Sequence, residues 1–332
     1  MMDGRVVLVL GATGGIGGEI ARQMRDSGWQ VRALRRGAGV PAEQKDGITW
    51  VTGDAMDRAS VIAAARGAAV IVHAVNPPGY RNWPKVVLPM LDNTIAAAES
   101  ARATVVLPGT IYNFGADAFN ILSEKSPQNP TTRKGASRVA MERRLSGYAA
   151  RGGRVLIVRA GDFFGPRTAN SWFSQGLVRP KRPITRIYDP GKPGTGHTWS
   201  YVPDVARTVL ELLDKRATLE PFATFHMAGH WDADGTQMLA AMRRVVARYE
   251  RAEPKITGFP WWLLTVLAPF VTTFREMGEM RYLWRAPLRM DNTRLREVLG
   301  REPHTPLDQA VEATSQGLGC LKVSGATAAL QR

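Results

Sequence analysis

The stretch that decides the fold is Val6-Val7-Leu8-Val9-Leu10-Gly11-Ala12-Thr13-Gly14-Gly15-Ile16-Gly17. An apolar run that ends in glycine is typical of a buried parallel strand, and a helix is predicted to follow over residues 15–27. Glycines at this turn let the backbone come close to a ligand, and the free N–H groups of the helix start favour an anion. We therefore predict a dinucleotide pyrophosphate site formed by Gly11, Thr13, Gly14, Gly15, Ile16 and Gly17.

Strand-like and helix-like patterns alternate through the first half of the chain. Because parallel strands need crossover helices, this alternation predicts an α/β, doubly wound Rossmann fold with a parallel sheet covered on both faces. The predicted strands after the first cover residues 31–34, 49–51, 70–74, 105–107, 154–159 and 224–227. The other predicted helices cover residues 58–66, 86–103, 133–151, 203–215 and 236–251.

The regular alternation weakens after Gly161, which indicates a second unit. A chain of 332 residues also exceeds what one hydrophobic core usually serves. We expect an NAD(P)-binding Rossmann domain over residues 1–160, with strands recurring to about 228, and a smaller, mainly substrate-binding C-terminal lobe over residues 161–320. We also expect a loop over Lys181–Gly196, where Pro and Gly cluster, and a flexible tail over residues 321–332.

The most apolar stretch of the chain is Pro260–Phe274. It is shorter than the ~20 residues that a helix needs to span a bilayer, so we predict no membrane span. It also lacks the strongly basic opposite face that is typical of a helix lying on a membrane surface. We therefore predict a core helix or a wall of the substrate pocket here, in preference to a membrane-surface anchor.

The amino-acid composition and the net charge indicate what kind of partner this protein binds. The chain is 44% hydrophobic and 22% charged, which is ordinary for a globular protein. Its net charge of +15 is spread over both halves without a basic tract, so we predict no nucleic-acid partner. The single cysteine, Cys320, excludes an internal disulfide and, with no secretion signal at the start, favours the cytoplasm. No metal site is predicted.

The end of the second predicted strand bears on the choice of cofactor. NAD sites usually place an acid there for the ribose hydroxyls, whereas an arginine nearby receives the 2′-phosphate of NADP. Here the strand ends in Arg35 and Arg36, with no acid expected in reach. Guanidinium groups form charge-assisted bonds with phosphate, so we predict NADP(H) in preference to NAD(H). The alternative is that both arginines are only surface charge.

Two further segments follow predicted strands and belong to the same pocket. Asp54 and Ala55 follow the third strand, where a carboxylate can accept the adenine amino group. His73, Ala74 and Val75 close the fourth strand, where small residues leave room for the ribose and the nicotinamide. His73 is either a ligand contact or a packed histidine with satisfied hydrogen bonds.

These segments together resemble the short-chain dehydrogenase/reductase superfamily in its extended or atypical branch, which includes NAD-dependent epimerase/dehydratases and NmrA-like proteins. The resemblance extends to Arg159–Pro166, similar to an "R…YGP" signature, and to Tyr201–Ala206, similar to "yVxDvA". It implies a nicotinamide cofactor across the carboxyl edge of the strands and a small-molecule substrate in the cleft beneath the C-terminal lobe. It also implies a homodimer formed through the helices that flank the fourth and fifth strands.

The catalytic helix departs from the family pattern. The family uses Tyr-x-x-x-Lys there, with the phenol as acid or base and the lysine on the nicotinamide ribose. Ser137 and Glu142 match the family's "Y-x-x-S-K-x-x-x-E", which puts Lys134 at the tyrosine position and Arg138 at the lysine position. Arg138 could hold ribose hydroxyls but cannot give up its proton. Lys134 could act as a base only if desolvation or neighbouring cations favoured its neutral form.

The family's serine or threonine position is also altered. Matching Tyr112 to the tyrosine of the family's "VYG" puts Pro108 at that position, with Thr110 two residues further on. Thr110 and Tyr112 therefore stay candidate catalytic residues, as hydrogen-bonding groups for the substrate.

Substrate recognition departs as well. Sugar-nucleotide members of the family place an asparagine and an arginine near the diphosphate, where this chain has Asp162 and His197. A carboxylate repels a diphosphate and a neutral histidine binds it weakly, so a nucleotide-sugar substrate is disfavoured. We predict a less polar ligand in a pocket formed by Asn113, Asp162, Phe163, Phe164, Trp172, His197 and Trp199.

Two functions follow from these patterns. The first is an NADP(H)-dependent oxidoreductase or epimerase/dehydratase-like enzyme with an altered catalytic motif. The second is a non-catalytic NADP(H)-binding redox sensor that regulates a partner, as in NmrA-like proteins. The altered positions Lys134 and Arg138 are the feature that distinguishes these two functional hypotheses.

Overall fold

A computed structural model describes residues 5–37, 42–76, 83–250, 252–268 and 272–321. Its strands are β1 (Val6–Leu10), β2 (Gln30–Arg35), β3 (Glu43–Lys45), β4 (Ile48–Thr52), β5 (Val70–His73), β6 (Thr104–Gly109), β7 (Ile121–Leu122), β8 (Arg154–Arg159), β9 (Asp162–Phe164), β10 (Arg186–Asp189), β11 (His197–Tyr201), β12 (Phe222–His226), β13 (His230–Asp232), β14 (Lys255–Gly258) and β15 (Arg289–Met290). Its helices are α1 (Gly15–Asp26), α2 (Arg58–Ala64), α3 (Trp83–Ala101), α4 (Arg133–Ala150), α5 (Val202–Asp214), α6 (Gln237–Ala247), α7 (Trp261–Leu267), α8 (Thr272–Glu279), α9 (Thr293–Leu299) and α10 (Leu307–Gly317).

The main sheet has eight strands in the order β12-β8-β6-β5-β1-β2-β4-β3. Every pair in it is parallel except β3–β4, which is antiparallel. The chain moves outward from β1 in both directions, so β1 and β5 flank the point at which the strand order reverses. Ligands of such sheets bind in the crevice at the carboxyl ends of the strands at this point. The predicted doubly wound Rossmann fold is confirmed.

Apolar side chains cover both faces of this sheet. Helices α1 and α5 pack together on one face, where β1 contributes Val7 and Val9 to the core. Helices α2, α3 and α4 cover the other face, where β1 contributes Leu8 and Leu10. The alternation of β1 side chains between two cores explains why the strand is apolar at every position.

A third hydrophobic core lies among the elements beyond the main sheet. Three smaller sheets accompany it, with strand orders β13-β11-β9, β10-β14 and β15-β7. Its largest members are aromatic, and among them are Phe114, Phe164, Phe173, Trp199 and Trp284. A separate core is what the smaller C-terminal lobe requires. The division at residues 160 and 161 stays a prediction, and β12 returns to the main sheet beside β8.

Two local predictions were wrong. The loop expected over Lys181–Gly196 contains strand β10, which pairs with β14 at a distance in sequence that no local pattern reveals. The described residues of the apolar stretch Pro260–Phe274, which are 260–268 and 272–274, do not form one core helix. Helix α7 buries only Leu264, and Trp262 is 70% exposed. No helix in the described ranges is both long and apolar enough to cross a membrane. Of the predicted tail, Leu321 is buried, and residues 322–332 lie outside the described residues.

Candidate functional site

The glycine loop between β1 and α1 is closely packed against the end of β5. Gly11 has a φ of 90°, and a Cβ atom there would lie 2.5 Å from the carbonyl oxygen of Ala74. A Cβ atom on Gly17 would lie 2.4 Å from the carbonyl oxygen of Gly11. Only glycine allows this approach. The first turn of α1 carries no acidic side chain, so its free N–H groups are available to an anion.

A cavity of about 780 Å³ opens in front of this loop. Its size falls within the range of ligand pockets in proteins. It runs along the carboxyl ends of the strands to the third hydrophobic core. The predicted site residues that line it are Gly11, Thr13, Gly14, Gly15, Ile16, Arg35, Arg36, Asp54, Ala55, His73, Ala74, Val75, Thr110, Tyr112, Lys134, Arg138, Asp162, Phe163 and Trp172. Gly17, Asn113, Phe164, His197 and Trp199 do not line it.

The two arginines after β2 differ in their surroundings. The Arg35 guanidinium forms an ion pair with Glu43 at 2.7 Å and lies over the Trp50 ring. The expectation that no acid is in reach was therefore wrong, because the β3–β4 pairing brings Glu43 beside the end of β2. Arg36 is exposed and, within the described ranges, has no carboxylate partner. Both arginines line the cavity, and Arg36 is the better placed to receive an added anion.

His73 is a buried, neutral histidine, and one of its ring nitrogens has no hydrogen-bond partner among the described residues. Burial and the nearby charge of Arg138 lower the pKa of His73 to about 3. The Thr94 hydroxyl donates to the carbonyl of Met90 at 3.0 Å, so it accepts from Nδ1 of His73 at 2.8 Å. The proton is then on Nδ1, and Nε2 is an acceptor that has no partner among the described residues. His73 is thus packed on one side and open to a ligand donor on the other.

Asp54 and Ala55 lie where the adenine end of a dinucleotide is expected. One oxygen of Asp54 accepts from the Met56 backbone N–H at 2.9 Å, which orders the turn after β4. The carbonyl of Ala55 accepts from the Asn93 side chain at 2.9 Å. The second carboxylate oxygen of Asp54 can accept a further donor from the cavity.

The start of α4 brings Lys134 and Arg138 to the cavity wall. The Thr132 hydroxyl accepts from the Gly135 N–H and caps the helix. A Cβ atom on Gly135 would lie 2.2 Å from the carbonyl oxygen of Tyr112, so this glycine lets the helix approach the segment after β6. Lys134 is buried, and the charge of Arg138 acts on His73. Two cations therefore lie at the positions where the resemblance implies tyrosine and lysine.

A chain of polar groups crosses from the cavity into the third core. The Tyr112 hydroxyl donates to Asp162 at 3.5 Å, and Asp162 lies 3.0 Å from Nε2 of His197. Both members of the Asp162–His197 pair are buried, and the imidazole stacks on Trp284 at a centroid distance of 3.8 Å. Burial and the charge of Asp162 raise the pKa of Tyr282. His197 thus supports Asp162 from behind and does not line the pocket itself.

Three predicted pocket residues have structural roles. Asn113 is fully buried and donates to Glu142 and Gln128, so it was wrongly placed in the pocket. Phe164 and Trp199 belong to the third hydrophobic core, with ring centroids 6.3 Å apart. Aromatic residues at strand ends are as typical of a core as of a pocket, and sequence alone does not separate the two.

Several residues of the cavity wall were not identified from the sequence. Thr168 is the most informative, because its hydroxyl is buried without a partner among the described residues. A Cβ atom on Gly15 would lie 3.3 Å from this hydroxyl oxygen, so the hydroxyl lies beside the glycine loop. Its only signal is a small polar residue soon after Gly165-Pro166. The others include Asn170, Ser171, Gln175, Met277 and Met280.

The residues present fit a dinucleotide. The cavity is large enough, and the glycine loop presents backbone N–H groups. The Thr168 hydroxyl and Nε2 of His73 are buried polar atoms that a ligand would satisfy. No group of three or more potential metal ligands occurs among the described residues.

Comparison with known proteins agrees with this geometry. Residues 7–228 match the model of the NAD dependent epimerase/dehydratase family. The chain is 30% identical over 186 residues to the uncharacterized protein y4nL of Sinorhizobium fredii, an alignment that covers 50% of this chain and 52% of that protein. The chain thus spans about half the length of this relative.

Solved structures show the same fold at low identity. UDP-glucose 4-epimerase with UDP-glucose from Thermotoga maritima is 15% identical with a TM-score of 0.71, over 94% of this chain and 98% of that one. UDP-glucose 4-epimerase from Bifidobacterium longum in complex with NAD+ and UDP is 13% identical with a TM-score of 0.70, over 95% and 97% of the two chains. By its match to the family model, its sheet order and its glycine loop, this chain belongs to the NAD dependent epimerase/dehydratase family.

Proposed function

We propose that this protein is an NADP(H)-dependent oxidoreductase or epimerase/dehydratase-like enzyme that acts on a small substrate other than a nucleotide sugar. The observation that carries the proposal is the single cavity that joins the glycine loop to Lys134, Tyr112 and Asp162. The solved relatives named above bind NAD+ or nucleotide sugars. A bound nicotinamide would supply or accept a hydride in this cavity.

The preference for NADP(H) rests on the charge at the end of β2. Arg36 is exposed at the cavity edge, and Arg35 lies beside it in an ion pair with Glu43. An acid beside the ribose would favour NAD(H), but Glu43 is engaged by Arg35. A 2′-phosphate would therefore meet one available guanidinium and a second one beside it.

Replacing Arg36 with glutamine is expected to weaken NADPH binding about tenfold and to leave NADH binding within about twofold, because a charge-assisted hydrogen bond to phosphate contributes about 1.5 kcal/mol. Titration calorimetry with both cofactors measures this. Arg32→Gln is the matched control, since Arg32 donates to backbone carbonyls near α2 and does not line the cavity. Equal affinity of the unaltered protein for the two cofactors would refute the preference.

The substrate end of the cavity has its own chemistry. Asp162 is a buried carboxylate held by His197, and Tyr112 can donate to it, so Asp162 can accept a proton from a substrate hydroxyl or hold a donor group. Lys134 can donate to a substrate oxygen. The same carboxylate repels a diphosphate, which argues against the nucleotide sugars of the solved relatives.

NADPH consumption against a panel of aldehydes, ketones, quinones and enones tests the enzyme proposal. We expect turnover of at least one class, and a fall in kcat of about 100-fold in Lys134→Met and in Asp162→Asn, the usual size of an acid–base contribution. NADPH affinity should stay within about threefold in both variants. Lys125→Met, which removes an exposed lysine, should keep full turnover. Turnover of UDP-glucose would contradict the assigned substrate class.

The second candidate is a non-catalytic NADP(H) sensor of the NmrA-like kind. The observation that favours it is Arg138 at the family's lysine position together with Lys134 at the tyrosine position. Arginine does not exchange its proton, so the family's phenol chemistry is lost. Tight NADPH binding with no turnover of any carbonyl class would favour the sensor over the enzyme.

A homodimer is part of the same proposal. Helices α3 and α4, which flank β5 and β6, are the surface that the family resemblance implies. Within the chain, Arg144 pairs with Asp92 and Arg151 with Glu99 across these two helices, which neutralises charge on that surface. Sedimentation would show it as a doubled mass.

A further inference from the structure

Large apolar side chains are exposed together at one place on this protein. Trp262 is 70% exposed, Val266 is 60% exposed and Leu263 is 37% exposed, all on α7. Ile256, on the adjoining strand β14, is 44% exposed. The three residues on α7, which we call the α7 apolar face, make up half of the six large exposed hydrophobic residues in the part of the chain that the structure describes, and Ile256 is a fourth. Scattered exposed residues are ordinary, but a contiguous group marks an interaction surface.

Exposed cations lie in β14, at the start of β10 and in the segment that leads into β10. They are Arg179, Lys181, Arg182, Arg186 and Lys255, which we call the basic cluster. All five are exposed, and within the described ranges none forms an ion pair. Other exposed arginines do form ion pairs. Arg244 and Arg248, for example, both pair with Asp308.

The two features are rigidly connected. Lys255 is in register with Arg186 in the parallel β10–β14 pair, and α7 follows β14 directly. The Trp261 indole donates to the carbonyl of Pro190 at 3.0 Å, which fixes the start of α7 to the end of β10. At about 3.3 Å per residue, the strand separates Arg186 and Lys255 from the start of the helix by roughly 13 Å. This separation is short enough for one extended partner to contact both.

We propose that the α7 apolar face and the basic cluster together dock this protein on the surface of an anionic phospholipid bilayer. Exposed tryptophan and aliphatic side chains enter the boundary between headgroups and acyl chains, and adjacent lysine and arginine residues bind anionic headgroups. The protein lies on the membrane and does not span it.

Other partners fit less well. A nucleic acid would engage the cations but leave Trp262 and Val266 in water. A second copy in a twofold contact would present the same two features, which include cations and no carboxylate, so it would leave the basic cluster without a countercharge. An anionic bilayer satisfies both features at once.

The docking surface also adjoins the cavity. The Trp261 and Trp172 rings lie 5.7 Å apart, and Trp172 and Met277 of α8 line the cavity. A molecule that leaves the bilayer at α7 would meet the cavity wall directly, so a membrane-dissolved substrate is indicated. This last step rests on the proposed function, whereas the docking itself does not.

Co-sedimentation of the full chain with vesicles tests the docking. Phosphatidylcholine vesicles are compared with vesicles that also contain phosphatidylglycerol, each at low and high salt. We expect binding to the anionic vesicles that weakens with salt. Lys255→Glu should lower the partition coefficient at least fivefold, since one cation near the surface contributes about that factor. The double variant Trp262→Ser, Val266→Ser should lower it at least tenfold.

Matched controls distinguish docking at this surface from an effect of net charge on vesicle binding and from loss of folding. Ile121→Ser removes an isolated apolar side chain that is 61% exposed, and Lys215→Glu reverses an exposed cation at the end of α5. Both should bind vesicles as the unaltered protein does. Thermal unfolding of every variant should be unchanged, because the substituted side chains are exposed.

Four outcomes would overturn the docking proposal: no binding to anionic vesicles, equal loss of binding in Lys215→Glu, full binding by the Trp262 double variant, or self-association that this variant abolishes in the absence of vesicle binding. The last outcome would identify an interface between copies. NADPH binding and turnover are measured separately, so failure of the docking leaves the proposed function standing, and the reverse also holds.

Discussion

Replacing Gly14 with valine is expected to weaken NADPH binding by at least 100-fold, which corresponds to about 2.7 kcal/mol. Gly14 caps α1 with φ −88° and ψ 172°, a conformation open to any residue, so the substitution does not strain the backbone. A Cβ atom there would lie 3.3 Å from the carbonyl oxygen of Gly11, which small shifts can relieve. The added side chain would instead occupy the cavity where the pyrophosphate must approach the helix start.

Gly14 is a better position than Gly17 for testing the role of the glycine loop in cofactor binding. A Cβ atom on Gly17 would overlap the Gly11 carbonyl, so a Gly17 variant could fail simply by misfolding. Gly147→Val in α4 is the control: its Cβ atom would contact only the end of the Arg151 side chain. Calorimetric titration should show loss of NADPH binding in Gly14→Val alone, with unfolding midpoints close to those of the unaltered protein. Retained binding in Gly14→Val would remove the glycine loop from the proposed site.

The parts of the fold that could be predicted from the sequence are those with local causes. The apolar run of β1, the glycines after it and the period of α1 all lie within about twenty residues, and the strand-and-helix alternation repeats that unit. The family match over residues 7–228 agrees with it. The cofactor end of the cavity follows from this alternation, since the carboxyl ends of parallel strands meet at one edge.

What could not be predicted depends on contacts between distant segments. Strand β10 forms because its backbone pairs with that of β14, with Arg186 in register with Lys255. Glu43 reaches Arg35 because β3 is a short strand that pairs antiparallel with β4. The exposure of Trp262 was missed because apolar character indicates burial in one direction only, and much protein surface is apolar. Thr168 carries no pattern at all, and only the fold brings it to the glycine loop.

For the Asp162–His197 pair, the sequence identified both residues but not the contact between them. Each residue was singled out by its position in a family signature, but their direct contact was not expected. The register of β9 with β11 places Asp162 beside Trp199, and this brings His197 within 3.0 Å of the carboxylate. The two residues that the family resemblance implies near a diphosphate therefore contact one another here.

Replacing Glu142 with glutamine is expected to destabilise the protein by about 3–5 kcal/mol, the usual loss when one partner of a buried ion pair is removed. Glu142 forms an ion pair with Arg159 at 2.8 Å, and both side chains are buried. The guanidinium also donates to the Thr110 carbonyl at 2.9 Å, so the pair holds the segment that carries Tyr112. A glutamine amide would direct a donor at this guanidinium and leave a buried charge without compensation.

The loss should appear as a fall of roughly 4–7 °C in the unfolding midpoint, measured by calorimetry. Glu99→Gln, which removes an exposed pair with Arg151, should cost less than about 1 kcal/mol. The double variant Glu142→Met, Arg159→Met should be more stable than Glu142→Gln, because an apolar pair leaves no buried charge. If Glu142→Gln unfolds like the control, the buried pair does not hold the segment after β6, and the positions of Thr110 and Tyr112 at the cavity must have another cause.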